Sequence, residues 1–165
     1  MRENPHDDRY LKPYTLKPTV IPEGFVLVTD TREQRPLFAR IPKGLTIASA
    51  TLSNGDYSIK GFEDIFAIER KSNDLFSYCT GERDKTQAKM IRFRKMEFVG
   101  LAIEMKEADV YQFQQFSKAH PEQIRGALIS FQVRYGVHVH FGTKESCSRW
   151  ILDVAVKFWN VKHEV

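Results

Sequence analysis

Short apolar runs that end on a carboxylate, set between helix-forming stretches, most constrain what this chain can fold into. Phe25-Val26-Leu27-Val28-Thr29-Asp30 is one such run, and Ile65-Phe66-Ala67-Ile68-Glu69 is another. Runs of this length bounded by turn residues read as buried strands. Leu45–Ser53 is a further β-prone stretch, closed by the turn signal Asn54-Gly55, after which Asp56-Tyr57-Ser58-Ile59 starts a strand that stops at Lys60-Gly61. These early strands are expected to pair as antiparallel hairpins. Beyond them the texture alternates. Ser72 is a candidate N-cap for a helix over Asn73–Cys79, and Gly81 interrupts it before a longer helix over Arg83–Glu97. Phe98–Glu104 reads as a buried strand. Helices follow at Lys106–Phe116 and Pro121–Tyr135, then a strand at Val137–Phe141 and a Thr143-capped helix to about Asn160. Strands alternating with helices imply an α/β domain with a mixed sheet.

Composition agrees with one soluble domain: 165 residues, 42% hydrophobic and 28% charged. Residues 1–24 hold Pro5, Pro13, Pro18 and Pro22 and show no period, so they are expected to form an extended or mobile leader ahead of a domain at 25–165. No apolar run approaches the ~18 residues of a membrane span, and no signal peptide is expected. The protein is therefore expected in the compartment where it is made, cytoplasmic in a bacterial or phage setting and nuclear in a eukaryote. Cys79 and Cys147 form no CxxC pair, so neither a zinc cluster nor a disulfide framework is readable. Neither GxGxxG nor GxxxxGK[ST] occurs, which argues against a nucleotide-dependent metabolic enzyme and against a small-molecule cofactor. The net charge of +4 permits a nucleic-acid partner without requiring one.

The chemistry concentrates at the strand ends. Asp30, Asp56 and Glu69 each stand at such an end, and Asp74 follows in the first helical turn. Asp56 and Glu69 belong to neighbouring expected strands, so their carboxylates can converge into an oxygen-rich site suited to Mg²⁺ or Mn²⁺. Glu69 and Lys71 are two apart in a strand and share a face. A lysine beside a metal carboxylate can stabilise charge on a phosphoryl oxygen, and together these groups make a minimal kit for phosphodiester hydrolysis.

The same residues resemble a known family. Gly55-Asp56-Tyr57, then Ile68-Glu69-Arg70-Lys71-Ser72 and Asp74-Leu75, resemble the GDY and ERKxxxD nuclease motif of the XPF-type structure-specific endonucleases. These are a branch of the restriction-endonuclease-like PD-(D/E)xK superfamily. Val28-Thr29-Asp30-Thr31-Arg32-Glu33 resembles the family's upstream strand end, Gly81-Glu82-Arg83 with Gln87 its downstream segment, and Leu101-Ala102-Ile103-Glu104 the strand after that. The resemblance implies a restriction-endonuclease-like mixed sheet flanked by helices, and a Mg²⁺- or Mn²⁺-dependent DNA endonuclease. Asp56 and Glu69 are implied metal ligands, with the Arg70 carbonyl as a third contact. Lys71 is implied at the attacking water or scissile phosphate, and Asp74 completes the acidic cluster. Asp30 and Glu33 lie at its edge, with Asp30 a candidate ligand. Arg70 belongs to the catalytic motif, while its side chain, with Arg32 and Glu104, is expected to brace the site. Larger members carry a tandem helix-hairpin-helix module and often a helicase region. Neither is expected within these 165 residues. The alternative is a non-catalytic DNA-binding or scaffolding partner of the same fold, against which the intact acidic motif argues.

Arg83–Lys95 is strongly basic, and Arg83, Gln87, Met90 and Arg94 fall on one helical stripe. Arg83, Gln87 and Arg94 are therefore the expected DNA-backbone contacts, together with Lys71. His138 and His140 share a strand face without a third ligand and read as structural. Phe113, Phe116, Phe131, Trp150, Phe158 and Trp159 read as core. Trp150, Ile151, Val154 and Phe158 form an apolar helix face for the sheet or for a second copy, so a homodimer is one expectation.

Overall fold

The computed structural model describes residues 12–81 and 83–164. Among them, β1 (Val26–Asp30), β2 (Thr46–Ala50), β3 (Tyr57–Ile59), β4 (Phe66–Lys71), β5 (Phe98–Ile103) and β6 (Val137–Phe141) form one sheet in the order β2-β1-β3-β4-β5-β6. The helices are α1 (Leu75–Thr80), α2 (Arg83–Phe93), α3 (Glu107–Val110), α4 (Pro121–Tyr135) and α5 (Lys144–Lys162). The α/β architecture with a mixed sheet is thus as the alternation implied.

The central strands are apolar along their length because helices cover both sheet faces. Alternation then separates two cores. Ala67, Val99, Leu101 and Ile103 turn toward α1, α2 and α4. Phe66, Ile68 and Ala102, with Leu27, Tyr57 and Ile59, turn toward α5. On the second face Gly100 makes room for Trp150, whose ring would lie 2.7 Å from an added Cβ. The apolar face of α5 is therefore taken up by the sheet: Ile151 is buried there and Phe158 lies against Phe66.

The antiparallel expectation holds for β1 with β3 and for β3 with β4, but β2 pairs parallel to β1, Val26 opposite Thr46. Residues 31–45 form a crossover long enough to return the chain to the same end of the sheet, as parallel pairing requires. The helix expected at 106–116 stops at Val110. There the Gln114 side chain donates to the carbonyls of Asp109 and Gln112, a local competitor to the helical ladder. Phe113 and Phe116 are consequently exposed rather than core. The helix expected to Glu97 ends at Phe93, where tight turns from Lys95 and Met96 lead into a bond from Glu97 N–H to the Ile65 carbonyl. Asp74, not Ser72, is the N-cap residue of α1. Residues 12–22 run without helix or strand. The earlier part of the expected leader, 1–11, lies outside the described residues.

Candidate active site

β3 and β4 place the acidic pair. Gly55 makes the turn into β3 at φ +78°, and an added Cβ would lie 3.0 Å from the Ile68 carbonyl oxygen and 3.1 Å from Ala67 Cβ. Only glycine meets both demands, the positive φ and the close approach to β4. The next residue, Asp56, is held from both sides. Its N–H donates to the Ile68 carbonyl, and its Oδ2 accepts the Arg70 N–H, each at 2.8 Å. The N–H and C=O of one strand residue point to the same side, so the Arg70 carbonyl is turned toward Asp56 as well.

Glu69 and Lys71 stand on the α1/α2 face of β4 and Arg70 on the opposite one, as period-two alternation demands. Glu69 is buried, with Lys89 Nζ 2.9 Å from Oε1 and Lys71 Nζ 3.5 Å from Oε2. Lys71 also reaches Asp74 at 3.7 Å, and Asp74 itself is exposed. Asp74 follows Lys71 by three residues rather than the four of the ERKxxxD form. Asp56, Glu69, Lys71 and Asp74 border one cleft of about 480 Å³, together with Asp30, Arg32, Glu33, Arg35, Lys89 and Arg92.

The electrostatics follow from this crowding. Burial, then the negative charge of Glu69, pushes the Asp56 carboxyl up to about 6. Burial pulls Lys71 down, but Glu69, Asp74 and Asp56 outweigh it and hold the ammonium above its usual range. Lys71 is therefore a cation at neutral pH and no base. The donor set is hard: two carboxylates and a backbone carbonyl, with neither imidazole nor thiolate. Among the described residues no group of three or more His, Cys, Asp or Glu side chains is arranged to hold an ion. Two carboxylates still fit Mg²⁺, which commonly binds through one or two of them and keeps waters and substrate phosphate for the rest.

Asp30, expected at the edge of the cluster as a candidate ligand, is engaged by protein donors on both oxygens. Its Oδ2 accepts from the Arg32 backbone and Nε, and its Oδ1 from Arg32 Nη2 and the Leu52 N–H. With both oxygens taken up it clips the chain at Leu52 onto β1. The hydrogen bond from Arg32 outweighs burial and holds its carboxyl below the usual range. The Arg70 side chain turns away from Asp56 and Glu69, to the opposite face of β4, where Nη1 comes within 4.0 Å of Glu33. Nε lies 2.5 Å from Glu104, and Nη1 donates to the Tyr57 hydroxyl and the Arg35 carbonyl, each at 3.0 Å. Glu33 accepts from the Tyr57 hydroxyl at 3.3 Å, and Arg35 pairs with Glu104. Arg32, Glu33, Arg70 and Glu104 are thus bracing groups.

The residues of the expected stripe on α2 do not meet at the acidic cleft. Thr86, Met90 and Phe93 are buried, so the stripe through Met90 looks inward. Gln87 borders a separate groove against α4, and Arg94 is exposed beyond the helix end, outside the cleft. The Arg83 side chain lies outside what is described. Lys89 and Arg92 reach the acidic cleft instead, Arg92 Nε donating to Asn54 at 3.2 Å. Centring the helix on its apolar residues would have found them, since each stands one residue before a core position. His138 and His140 stack on Phe98 and Trp150 and meet no ligand set.

The ERCC4 domain model matches residues 29–153, which includes every residue of this cleft. The chain belongs to the ERCC4 domain family. Its fold is that of the XPF-type nuclease domain. XPF from Aeropyrum pernix matches with a TM-score of 0.59 at 18% identity, over 78% of this chain and 62% of that one. The same protein in complex with DNA matches at 0.58 and 16%, over 84% and 66%. At such identities the likeness is one of fold, and this ERCC4 domain spans about two thirds of the length of those chains or somewhat less. No curated protein matches the sequence.

Proposed function

We propose that this ERCC4 domain is a Mg²⁺- or Mn²⁺-dependent endonuclease that hydrolyses phosphodiester bonds in branched or otherwise structured DNA, in repair, recombination or phage DNA processing. The observation that carries this reading is the pair Asp56 and Glu69 bordering one cleft with the Lys71 ammonium beside Glu69. Asp56, Glu69 and the Arg70 carbonyl would hold the ion, which supplies polarisation of the scissile phosphate and an acidified water. The protein's own groups do the rest. Lys71 presents a permanent positive charge to the phosphoryl oxygens, where negative charge grows during attack. Asp74 and Glu69 hold that ammonium between them. Asp30 with Arg32, and Arg70 with Glu104 and Tyr57, fix the two backbone segments that carry the acids. Lys89 and Arg92 offset the repulsion between the carboxylates and the DNA backbone, and take the contact role expected of Gln87 and Arg94. A homodimer is proposed on the weaker ground of the α5 face alone, of which Ile151 lies on the sheet while Trp150 and Val154 are partly buried.

The test is a cleavage panel of flap, fork, junction, single-stranded and plain duplex DNA with Mg²⁺ or Mn²⁺. Cleavage of branched substrates that stops with EDTA supports the reading. Retarded migration of those substrates without cleavage under either ion supports the scaffolding alternative.

A further inference from the structure

The two lysines at Glu69 share one more neighbour that no motif contains. Lys71 Nζ stands 4.5 Å and Lys89 Nζ 5.5 Å from the centre of the Tyr78 ring, both within the range of cation–π attraction. Tyr78 lies in α1, one turn past Asp74, so the helix that begins at the cleft carries the ring back beneath it. The ring is buried and fixed from behind by Phe131 of α4, edge-on at 6.0 Å. We propose that Tyr78 is a positioning residue: its ring clamps the Lys71 and Lys89 ammonium groups over its face, so that both stay aimed at Glu69 and the cleft.

The need for such a clamp is physical. Lys71 ends a four-carbon stem with many rotamers, and two ammonium groups brought to one carboxylate repel each other. Ion pairing with Glu69 holds their charge, yet any cation that binds Glu69 competes with it. The ring's attraction does not depend on the carboxylate. It keeps Lys71 in place when Glu69 turns to another partner.

The phenol hydroxyl contributes nothing to this role. It is buried and has no hydrogen-bond partner among the described residues. Burial, followed by the charge of Glu69, pushes its pKa far above the ordinary phenol, so the ring stays neutral. A buried, unpartnered hydroxyl is unfavourable, so Tyr78→Phe is expected to melt at or above the wild-type temperature while keeping the clamp.

The inference rests on the nuclease reading for its consequence but not for its geometry, so two readouts test it. Protons held over an aromatic face resonate upfield. The side-chain ε-methylene signals of Lys71 and Lys89 are expected upfield in the wild-type protein and in Tyr78→Phe, and at ordinary positions in Tyr78→Leu. In cleavage assays Tyr78→Leu is expected to lower kcat about tenfold, with a smaller rise in KM for DNA as Lys89 loosens. Because leucine also alters the core, phenylalanine with increasing fluorination at position 78 gives the second arm. Shape is nearly constant and the ring's negative face is progressively removed, so kcat is expected to fall with each step. Unshifted lysine signals in the wild-type protein, or a flat rate across the fluorinated series, would overturn the clamp. A wild-type protein that cuts no substrate would sink the nuclease reading alone, and the lysine signals would still decide the clamp.

Discussion

Asp56 carries its charge against resistance, and that sets a measurable pH dependence. Its carboxyl is raised from 3.8 to about 6 by burial and by Glu69. An acid raised on folding binds its proton more tightly in the native state, so metal-free stability increases as pH falls from about 6 toward 3.8. Above that window the charged form costs of order 3 kcal/mol. Asp56→Asn retains an acceptor for the Arg70 N–H. It is therefore expected to be more stable than wild type in urea at pH 7.5 without divalent ions, with the gap closing near pH 4. A gap of constant size across that range would contradict the electrostatic account. Arg70 behaves in the opposite sense. Its guanidinium is buried against Glu104, so Arg70→Met leaves that buried carboxylate with only the longer Arg35 pair and is expected to lose about 3 kcal/mol in urea denaturation. Replacing Glu104 with leucine as well should recover part of that loss. At this scale the sequence was informative about residue type and less so about partners. Period two put Glu69 and Lys71 on one face of a strand and Arg70 on the other. Nothing local could show that the Leu52 N–H joins Arg32 at Asp30, because Leu52 is brought there by a crossover.

Two elements carry the site, and each yields its own expectation. The turn into β3 stands or falls with Gly55, whose φ of +78° and 3.0 Å approach to the Ile68 carbonyl exclude a side chain. Gly55→Ala is expected to cost about 1–3 kcal/mol and to lower cleavage more than that loss implies, because the strain lands beside Asp56. Equal losses of folded fraction and rate would argue that the turn has no role in aiming the carboxylate. α2 supplies positive charge from Lys89 and Arg92. The double substitution Lys89→Ala with Arg92→Ala is expected to weaken binding alike for all DNA sequences and to reduce the salt slope of affinity by about 2. An unchanged slope would remove α2 from the interface. The basic character of α2 was plain from its composition. Its orientation follows from its apolar residues rather than its charges: Met90 and Phe93 are buried with Thr86, and Lys89 and Arg92 stand one residue before Met90 and Phe93 respectively. The helix expected at 106–116 failed for a different reason. Its pattern is helical, but side-chain bonds from Gln114 close the chain into turns.

At the scale of the molecule, alternating strand and helix signals fixed the class of fold, and the apolar runs of β4 and β5 read as the buried strands they are. The parallel pairing of β1 with β2 was hidden, since pairing direction depends on the path of residues 31–45 and not on either strand. The sheet's use is to bring β3 and β4 side by side so that Asp56 and Glu69 meet one cleft with Lys71 of β4, and α2 edges that cleft with Lys89 and Arg92. The most direct measurement is cleavage of a labelled branched DNA with Mn²⁺, comparing the wild-type protein with Asp56→Asn, whose stability is expected to equal or exceed wild type. The wild-type protein should cut, EDTA should stop it, and Asp56→Asn should lose at least about a hundredfold in rate while remaining folded, as befits loss of a group that supports metal-assisted hydrolysis. Cleavage by Asp56→Asn at the wild-type rate would contradict the account.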